Sequence, residues 1–310
     1  MDPLSQRESG GRRDAGCLPL DFRDHATDCS LFQRTVYEVQ QHFGYRYAAP
    51  ISNLRQRLVV VPPPVHGNQR VLSHRLDVSL PRAHKRIRAD RFGNVIVEIA
   101  IPEVEEAVDF DVSLIVERPT GQEPHLEAAT TQALSIYLLP SALTRPDTAL
   151  RAVAANLATS GEIGGDLARI VGGWVHRRMS YASERTGVRT TAGQALAAGY
   201  GVCQDYAHLM LALCRLLGIP ARYVSGHLVG EGGTHAWVEV LHPVPGQGVE
   251  ILAWDPTHDR PADLRYLTVA VGRDYRDVAP VSGTYFGPHA GWLSTTRHVS
   301  MGHAQREIAA

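Results

Sequence analysis

One cysteine, one histidine and one aspartate in the second half of the chain have the types and surroundings of a nucleophilic catalytic site. Cys203 follows Val202 and precedes a long apolar run, in the stretch YGVCQDYAHLMLALCRLLGIP. A cysteine thiolate attacks acyl groups, but it needs a base to take its proton and usually a third group to orient that base. His235 and Asp255 are the downstream residues that could fill these two roles.

The apolar run after Cys203 predicts a helix that extends to about Leu217. Apolar residues recur at three- and four-residue steps, and Gly218 with Pro220 supplies a stop signal. The second half is apolar on nearly every side, so we expect the helix at the centre of its domain. Cys203 would then lie at the helix N-terminus, where unpaired N–H groups and the helix dipole favour a thiolate. Its N–H could also stabilise an oxyanion.

Each of these residues also has a purely structural interpretation. A single cysteine at a helix start is more often structural, and a histidine at a strand start is more often a surface residue. Cys214 falls on the apolar stripe of the same helix and is assigned to the core. The combination of Cys203 with a histidine and an aspartate favours catalysis.

The histidine and the aspartate are expected to meet across a β-hairpin. Alternation of Val and aromatic residues predicts three successive strands, in ARYVSGHLV, THAWVEVL and VEILAWDP. His235 begins the second strand and Asp255 ends the third. Both lie ten positions from Pro245, the midpoint of the connection (245 − 235 and 255 − 245). An antiparallel pair would set them opposite each other, about 5 Å apart at Cβ, so that Asp255 orients the imidazole.

Other histidines raise the alternative of a metal site. His227, His242 and His258 lie in the same region of the chain. They lack the tight, repeated spacing with cysteine or carboxylate ligands that is typical of such sites. Neither a metal nor another cofactor is therefore predicted.

The elements that must position these residues belong to the second of two predicted domains. Short runs rich in Val, Ile and Tyr, separated by Pro and Gly-Asn, indicate a β-rich first domain, whereas TALRAVAANLA and GGDLARIVGGWVHRRM have helical spacing. We predict a disordered tail at 1–30, a β-rich N-terminal domain at 31–118, a linker at 119–145, an α+β core at 146–290 and a C-terminal tail at 291–310.

Charge and composition argue against nucleic-acid and membrane partners. Lys and Arg total 31 and Asp and Glu total 32, a net charge of -1, so no global field attracts polyanions. The segment RAHKRIRADR, residues 82–91, is interpreted as a solvated loop rather than a binding patch. The oligomeric state is left open.

The cysteine content and the N-terminal stretch favour a cytoplasmic location. MDPLSQRESGGRRDAG lacks the apolar centre of a secretory signal, and no run reaches the ~18 apolar residues of a membrane span. Four cysteines in a chain of 310 residues do not make a disulfide framework, which fits a compartment where a thiol stays reduced. Cys17 and Cys29 are given no role.

The strings around the three candidate residues resemble the core of the transglutaminase-like superfamily, in its bacterial branch. They are GYGVCQDYAHLMLALCRLLGIPARYVSGHL, THAWVEV and AWDPTHD. The segment VAVGRDYRDVAPVSGTYFG resembles the stretch downstream of the aspartate in that branch. Upstream, YEVQQHFGYRYAAPISNLRQRLVVVPPP and DRFGNVIVEIAIP resemble the β-rich domain that accompanies such cores. The resemblance covers residues 35–287.

This resemblance implies a papain-like fold in which Cys203 is the nucleophile, His235 the general base and acid, and Asp255 its orienting partner. The implied reaction is attack of the thiolate on an amide or related acyl group, followed by transfer from a thioester to an amine or to water. A peptide, protein or small amide or amine would be the substrate. A protease, a protein cross-linker and a small-molecule amide synthase all remain open, with hydrolysis or transfer on a peptide-like or small substrate preferred.

Three points remain open on the sequence alone. The stretch HLVGEGG ahead of His235 is shorter than the acidic insertion that relatives often carry, which could alter the rim of the substrate cleft. The motif does not identify a second oxyanion donor, for which Tyr181, Tyr200 and Gln204 are candidates. The alternative from another class is a binding or scaffolding module that keeps the fold without turnover, and its signature would be a missing triad member.

Overall fold

The computed structural model describes residues 32–119, 126–127, 131–244 and 246–306. The predicted tail at 1–30, with Cys17 and Cys29, lies outside these residues. The architecture is α+β, with β-rich N-terminal sheets followed by helices packed on an antiparallel sheet, which confirms the predicted fold class. No helix in the described part of the chain has the length and apolar character needed to cross a membrane.

The secondary structure elements follow in chain order. The N-terminal part contains β1 (Phe32–Arg46), β2 (Ile51–Leu58), β3 (Val65–His66), β4 (Gln69–Val78), β5 (His84–Ala89), β6 (Val95–Val104) and β7 (Ala107–Pro119), and the short strand β8 (Leu126–Glu127) follows it. The core contains α1 (Thr131–Leu138), α2 (Thr148–Ala158), α3 (Gly164–Arg178), β9 (Ser180–Tyr181), α4 (Ala192–Ala198), β10 (Tyr200–Gly201), α5 (Cys203–Leu216), β11 (Ala221–Leu228), β12 (His235–Val244), β13 (Gly248–Asp255), β14 (Arg260–Pro261), β15 (Tyr266–Gly272) and α6 (Tyr275–Val278). The chain continues with β16 (Val281–Phe286) and β17 (Trp292–Arg306).

Two antiparallel sheets form the N-terminal part, in the strand orders β17-β1-β7-β4-β3 and β16-β2-β6-β5. Along β7, buried Val108, Phe110 and Val112 alternate with more exposed residues, which is the pattern of a strand with one face on a core. Buried side chains of both sheets form one apolar cluster that includes Phe43, Leu54 and Phe110. The two sheets therefore share a hydrophobic core.

The core domain is built on a sheet in the order β14-β13-β12-β11-β15, with β8 added beside β13. Alternate residues of β12, among them Val238 and Val240, pack with the buried side chains of α5. Trp237 points to the other face, into a separate apolar cluster. Both faces of β12 are therefore covered, and α5 is buried against one of them. The helix ends at Leu216, within one residue of its predicted end.

A glycine allows helix α3 to pack closely on this sheet. A Cβ atom built on Gly172 would lie 2.4 Å from Nε1 of Trp254 in β13. A side chain at this position would push α3 away from the sheet, because a contact that short requires the backbone or the indole to move.

Three segments differ from their sequence-based interpretation. The segment 82–91, expected as a solvated loop, contains strand β5, so that expectation was wrong. The backbone N–H groups of Phe92 and Asn94 donate to Asp90 Oδ1, and Gly93 has a φ of 84°, which closes a turn that pairs β5 with β6. Helix α1 lies in the segment predicted as a linker. The segment after 291, to which no structure was assigned, contains β17, which pairs with β1.

Side chains of the N-terminal sheets bind the edge strand β15 of the core. The amide of Gln69 donates to the Thr268 carbonyl at 2.7 Å and accepts from its N–H at 2.9 Å. The amide of Asn94 makes the same pair of bonds with the main chain of Val271, at 2.7 and 2.8 Å. These amides satisfy main-chain groups that an edge strand leaves unpaired.

A buried ion pair lies at the same junction. Glu239 of β12 contacts Arg222 Nε at 2.6 Å and His66 Nε2, from the N-terminal part, at 2.9 Å. Burial opposes the charge on the Glu239 carboxylate, but Arg222 and His66 outweigh it and hold its pKa well below the ordinary value. The carboxylate is therefore ionised and joins the two parts of the chain.

Candidate active site

Cys203 is the first residue of helix α5 and is half-buried. The carboxylate of Asp205 holds the preceding backbone in place, since its Oδ2 accepts from the Val202 N–H at 2.9 Å and from the Thr186 hydroxyl at 2.6 Å. A Cβ atom on Gly201 would lie 2.6 Å from Asp205, so glycine is required for this close approach. The thiol is thus set at a helix N-terminus by a specific hydrogen-bonded turn.

A short parallel pair of strands brings Tyr181 next to this turn. Tyr181 in β9 pairs with Gly201 in β10, and the Ala182 N–H donates to the Gly201 carbonyl at 2.9 Å. Burial and then the nearby Cys203 raise the pKa of the Tyr181 phenol, which also interacts electrostatically with Glu231 and His235. Its side chain is largely exposed.

His235 and Asp255 are hydrogen-bonded to each other in the interior of the site. Nε2 of His235 lies 2.7 Å from Oδ2 of Asp255, and both residues are buried. The Cys203 thiol lies close enough to the same imidazole to raise its pKa. The three candidate residues therefore form one continuous chain of contacts, from sulfur to imidazole to carboxylate.

The pairing register that joins His235 and Asp255 differs from the predicted one. The ladder from Val238↔Trp254 to Val244↔Gly248 places Asp255 in line with residue 237, not with His235. The predicted register was therefore wrong by two residues, because the turn is centred on residue 246 instead of 245. An even offset keeps both side chains on one face, and diagonal neighbours remain in reach.

Asp255 also receives hydrogen bonds from residues that were not predicted to belong to the site. Its Oδ2 accepts from the hydroxyl of Tyr266 at 2.7 Å and lies 2.7 Å from Nδ1 of His258, while Oδ1 accepts from the Thr257 N–H at 2.8 Å. Arg260 in turn donates to the Tyr266 oxygen at 2.9 Å. The His258 N–H also donates to Oδ1 at 3.3 Å, so five donors, counting the imidazole of the triad, fix the orientation of Asp255.

Glu231 lies on the opposite side of the two histidines. Its carboxylate is 3.3 Å from Nδ1 of His235 and 3.4 Å from Nε2 of His258. It belongs to the turn between β11 and β12, next to Gly230, which has a φ of 95°. The side chain is half-exposed, so it lies at the surface beside the two histidines.

The electrostatics of the cluster favour a charged imidazole between anionic carboxylates. Burial lowers the pKa of His235, but the hydrogen bonds with Asp255, Cys203 and Glu231 outweigh it and raise that pKa well above 6.5. Burial would raise the pKa of Asp255, yet His235 and His258 hold it far below its usual range. The bond to His235 lowers the pKa of Glu231. The imidazolium can thus persist at neutral pH and balance a thiolate.

A Glu231→Gln variant is expected to shift the alkaline limb of the pH–rate profile to lower pH, by about one unit. The Glu231 carboxylate raises the pKa of His235, so its removal lets the imidazolium lose its proton at lower pH. The profile of kcat/KM from pH 5 to 10 measures this shift. Glu184→Gln, an exposed glutamate in the turn before α4, is the control, and an unchanged alkaline limb in Glu231→Gln would contradict the assigned contact.

The three candidates for a second oxyanion donor lie in different environments. Tyr200 has its ring 5.6 Å from the Arg185 guanidinium. Gln204 is buried and donates its amide N–H to the Gly187 carbonyl at 3.4 Å. Tyr181 is the candidate whose phenol interacts with Cys203 and His235. Of the three candidates, Tyr181 therefore interacts electrostatically with the triad, whereas the Gln204 amide is directed towards the 182–191 turn.

One group in the described part of the chain has a spacing suitable for a metal ion, namely His235, Asp255 and His258, with ligand atoms within 4.8 Å of one another. Two pairs of these atoms are already hydrogen-bonded, since Asp255 Oδ2 lies 2.7 Å from a ring nitrogen of each histidine. An ion would have to separate these pairs. His227 and His242, considered with His258 as metal-ligand alternatives, are not part of this group.

Glu231, His258 and Tyr266 were missed as site residues by sequence reasoning. His258 had a local signal, because it lies three residues after Asp255 in DPTH and can turn back onto the carboxylate. Glu231 lies four residues before His235 in a glycine-rich stretch, which suggests a turn but not its direction. Tyr266 lies on another strand, so only the pairing of β11 with β15 places it near Asp255.

Comparison with protein families gives two matches that together span most of the described chain. Residues 151–254 match the family described as "Transglutaminase-like superfamily", and residues 37–117 match the "Bacterial transglutaminase-like N-terminal region". The first match includes Cys203 and His235 and ends one residue before Asp255.

Among curated proteins, similar chains come from mycobacteria. An uncharacterized protein of Mycobacterium leprae is 30% identical over 270 residues, covering 79% of this chain and 91% of that protein. An uncharacterized protein of Mycobacterium tuberculosis is 28% identical over 291 residues, covering 81% and 87%.

Among solved structures, a "putative cysteine protease" from Cytophaga hutchinsonii has a TM-score of 0.71 and 22% identity, covering 89% of this chain and 93% of that one. At 22% identity, this similarity shows a shared fold and nothing further.

Proposed function

The chain belongs to the transglutaminase-like superfamily and carries a bacterial transglutaminase-like N-terminal region, and from this premise we propose that it is a cysteine-dependent enzyme that transfers or hydrolyses acyl groups of amides. Cys203 is the nucleophile, His235 the general base and acid, and Asp255 the residue that orients the imidazole. The observation that carries this proposal is the hydrogen bond between His235 and Asp255, with Cys203 at the N-terminus of α5 interacting with the same imidazole.

Acylation begins with proton transfer from the Cys203 thiol to His235. Because Nε2 of His235 is bonded to Asp255, the thiol transfers its proton to Nδ1, which also faces the Glu231 carboxylate at 3.3 Å. The thiolate attacks the substrate carbonyl carbon, and a C–S bond forms. The Cys203 N–H, a first-turn group with no acceptor within its own helix, stabilises the oxyanion. His235 then gives its proton to the leaving amine as the C–N bond breaks, which leaves a thioester.

Deacylation repeats these steps with water or an amine as the acceptor. The acceptor loses a proton to His235 as it attacks the thioester carbon. The C–S bond breaks, and sulfur leaves as a thiolate opposite the imidazolium. Asp255 remains ionised throughout and keeps Nε2 of His235 protonated. Tyr181, whose phenol interacts electrostatically with Cys203, is proposed as the second oxyanion donor.

The contrast between the two described cysteines supports the role of Cys203. Cys214 is fully buried near the C-terminal end of the same helix, and burial raises its pKa to about 12. Cys203 is half-buried and contacts an imidazole with a raised pKa. One helix thus contains an inert thiol and a thiol with a base beside it.

Iodoacetamide is expected to alkylate Cys203 in the folded protein at least tenfold faster at pH 6 than it alkylates a free cysteine. The thiolate is stabilised by the His235 imidazolium, so the rate should stay high well below the pH at which ordinary thiols react. Peptide mass spectrometry after timed quenching measures the rate at each cysteine separately. His235→Ala should remove the advantage, because it removes the cation.

Cys214 provides the internal control in the same sample. It should remain unlabelled until the protein unfolds, because its thiol is fully buried. A Cys203 that reacts no faster than a free thiol at pH 6 in the folded wild type would refute the catalytic assignment and leave the scaffolding alternative. An equal alkylation rate of Cys203 in His235→Ala and in the wild type would refute the role of the histidine.

Incubation with a library of peptides and small amides would identify the acyl donor. Acid quenching during turnover should trap a thioester, seen as added mass on the Cys203 peptide of the wild type and absent from Cys203→Ser. Hydroxylamine should remove the added mass. Adding amines and measuring amide product against free acid would separate transfer from hydrolysis.

A further inference from the structure

The arginine-rich segment that was interpreted as a loop lines a groove on the N-terminal sheets. The groove has a volume of about 650 Å³ and lies on the four-stranded sheet β16-β2-β6-β5, and none of its residues belongs to the Cys203 site. Strand β5 supplies one wall, with every residue from His84 to Ala89 exposed. This groove contains arginine side chains that have no role in the proposed enzyme activity.

The strand register brings arginines from two different strands to the same face. Arg57 of β2 pairs with Glu98 of β6, and Glu98 pairs with Arg86 of β5. In the neighbouring row, Arg55 of β2 pairs with Ala100, which pairs with His84. Residues two apart on a strand share a face, so Arg55 and Arg57 point the same way. The guanidinium groups are therefore arranged in rows across the sheet.

Positive charge dominates this face. Among the described residues that line the groove, Glu98 is the one acidic residue, and Arg88 Nε already contacts it at 2.8 Å. Arg57 lies near Asp90 and Asp277, which offset part of its charge. Arg55 and Arg86 are exposed and remain the main sources of positive potential.

Protection of a sheet edge does not explain the arrangement. Cations on an edge strand discourage unwanted strand pairing, and this could account for Arg86 and Arg88 on β5. Arg55 and Arg57, however, lie on β2, which is an interior strand with β16 and β6 on its two sides. Arginines on interior and edge strands that share one groove indicate recognition of an anionic partner.

The lining favours a polypeptide over a nucleic acid. The groove contains no Phe, Tyr or Trp among its described residues, so it has no platform on which bases could stack. An extended polypeptide segment can lie in the groove, into which β2, β6 and β5 present their side chains. Guanidinium groups bind carboxylates in a bidentate manner.

We propose that this groove, lined by Arg55, Arg57 and Arg86, binds an extended acidic segment of a partner polypeptide. Glu or Asp side chains at alternate positions of the segment pair with the arginines, because alternate side chains of a strand point to one face. The length of β5 corresponds to a segment of about six residues. The surface is independent of the triad, and binding requires no turnover.

Fluorescence anisotropy with a fluorescein-labelled ten-residue peptide of alternating Glu and Thr tests the proposal. The experiment uses the full chain and its Cys203→Ala variant, which should bind alike, so that the result does not depend on catalysis. Binding should weaken as salt rises, because exposed charge pairs are screened. The matched peptide of alternating Gln and Thr should bind about tenfold more weakly or not at all.

Charge reversal locates the surface. The Arg55→Glu/Arg86→Glu variant should weaken binding of the acidic peptide about tenfold or more, and Arg55→Gln/Arg86→Gln should have an intermediate effect that guards against misfolding of the reversed variant. The Arg151→Glu/Arg169→Glu variant changes the net charge equally on helices of the core and should bind as the wild type does. An equal loss of peptide affinity in both charge-reversed variants would overturn the assignment of binding to this groove. Tighter binding of a ten-nucleotide oligothymidine than of the acidic peptide would overturn the proposal that the partner is a polypeptide.

Discussion

Cys203→Ala is expected to lower kcat by a factor on the order of 10⁵, to the background rate, on any substrate that the wild type turns over. The side chain supplies the atom that bonds to the acyl group, and no neighbouring group can replace it. His235→Ala should cause a loss of similar size, since the thiol then lacks its base. Stopped assays with purified variants at high enzyme concentration measure the residual rate.

The double variant Cys203→Ala/His235→Ala separates a catalytic unit from two independent contributions. If thiol and imidazole act together, the double variant should be no slower than either single variant. Cys214→Ala is the matched control, because it removes a sulfur from the same helix and should retain turnover. Residual activity of one tenth or more in Cys203→Ala would assign the reaction to another residue.

Glu239→Ala is expected to lower the free energy of unfolding at pH 7 by about 3 kcal/mol or more. The variant leaves the guanidinium of Arg222 buried beside a cavity, and it also removes the contact with His66 that joins the core to the N-terminal part. Urea unfolding followed by circular dichroism and by tryptophan fluorescence measures the change. If the contacts between the core and the N-terminal part are lost before either part unfolds, the unfolding transitions seen by circular dichroism and by fluorescence should no longer coincide in the variant.

The pH dependence gives this stability prediction a second, independent readout. The folded-state pKa of Glu239 is lower than the unfolded value of about 4.5, so the carboxylate stabilises the fold above that pH. The contribution should decrease as the pH falls below about 4.5, and the gap between wild type and Glu239→Ala should narrow there. Glu103→Ala, an exposed glutamate on β6, should cost less than about 0.5 kcal/mol. A constant gap from pH 7 to pH 3 would contradict the ionised, paired carboxylate.

The central helix could be predicted almost completely from the sequence. The apolar spacing after Cys203 and the stop signal at Gly218 lie within one short segment, and their effect on the backbone is local. The all-round apolar surface of the second half also indicated burial. The structure agrees, with α5 from Cys203 to Leu216 and its residues from Gln204 to Arg215 buried.

For the hairpin of β12 and β13, the sequence predicted the strands but not their pairing register. Its two strands were predictable from alternation, and the side chains of His235 and Asp255 do meet, with 2.7 Å between Nε2 and Oδ2. The register was not predictable, because a shift of two residues leaves the same side chains on the buried face. The alternation of apolar and polar residues is therefore equally compatible with both registers. The turn geometry decides between such registers.

The sequence by itself determined the fold class, the position of Cys203 at a helix start, and the chain order of cysteine, histidine and aspartate. These features depend on periodicity, stop signals and strings of neighbouring residues. Only the tertiary structure decided that Glu231, His258 and Tyr266 surround the triad, that β17 completes the first sheet, and that the segment 82–91 becomes one wall of a basic groove. Each of these depends on which distant strands pair, and pairing is determined by the burial of whole sheet faces, a property that no short segment carries alone.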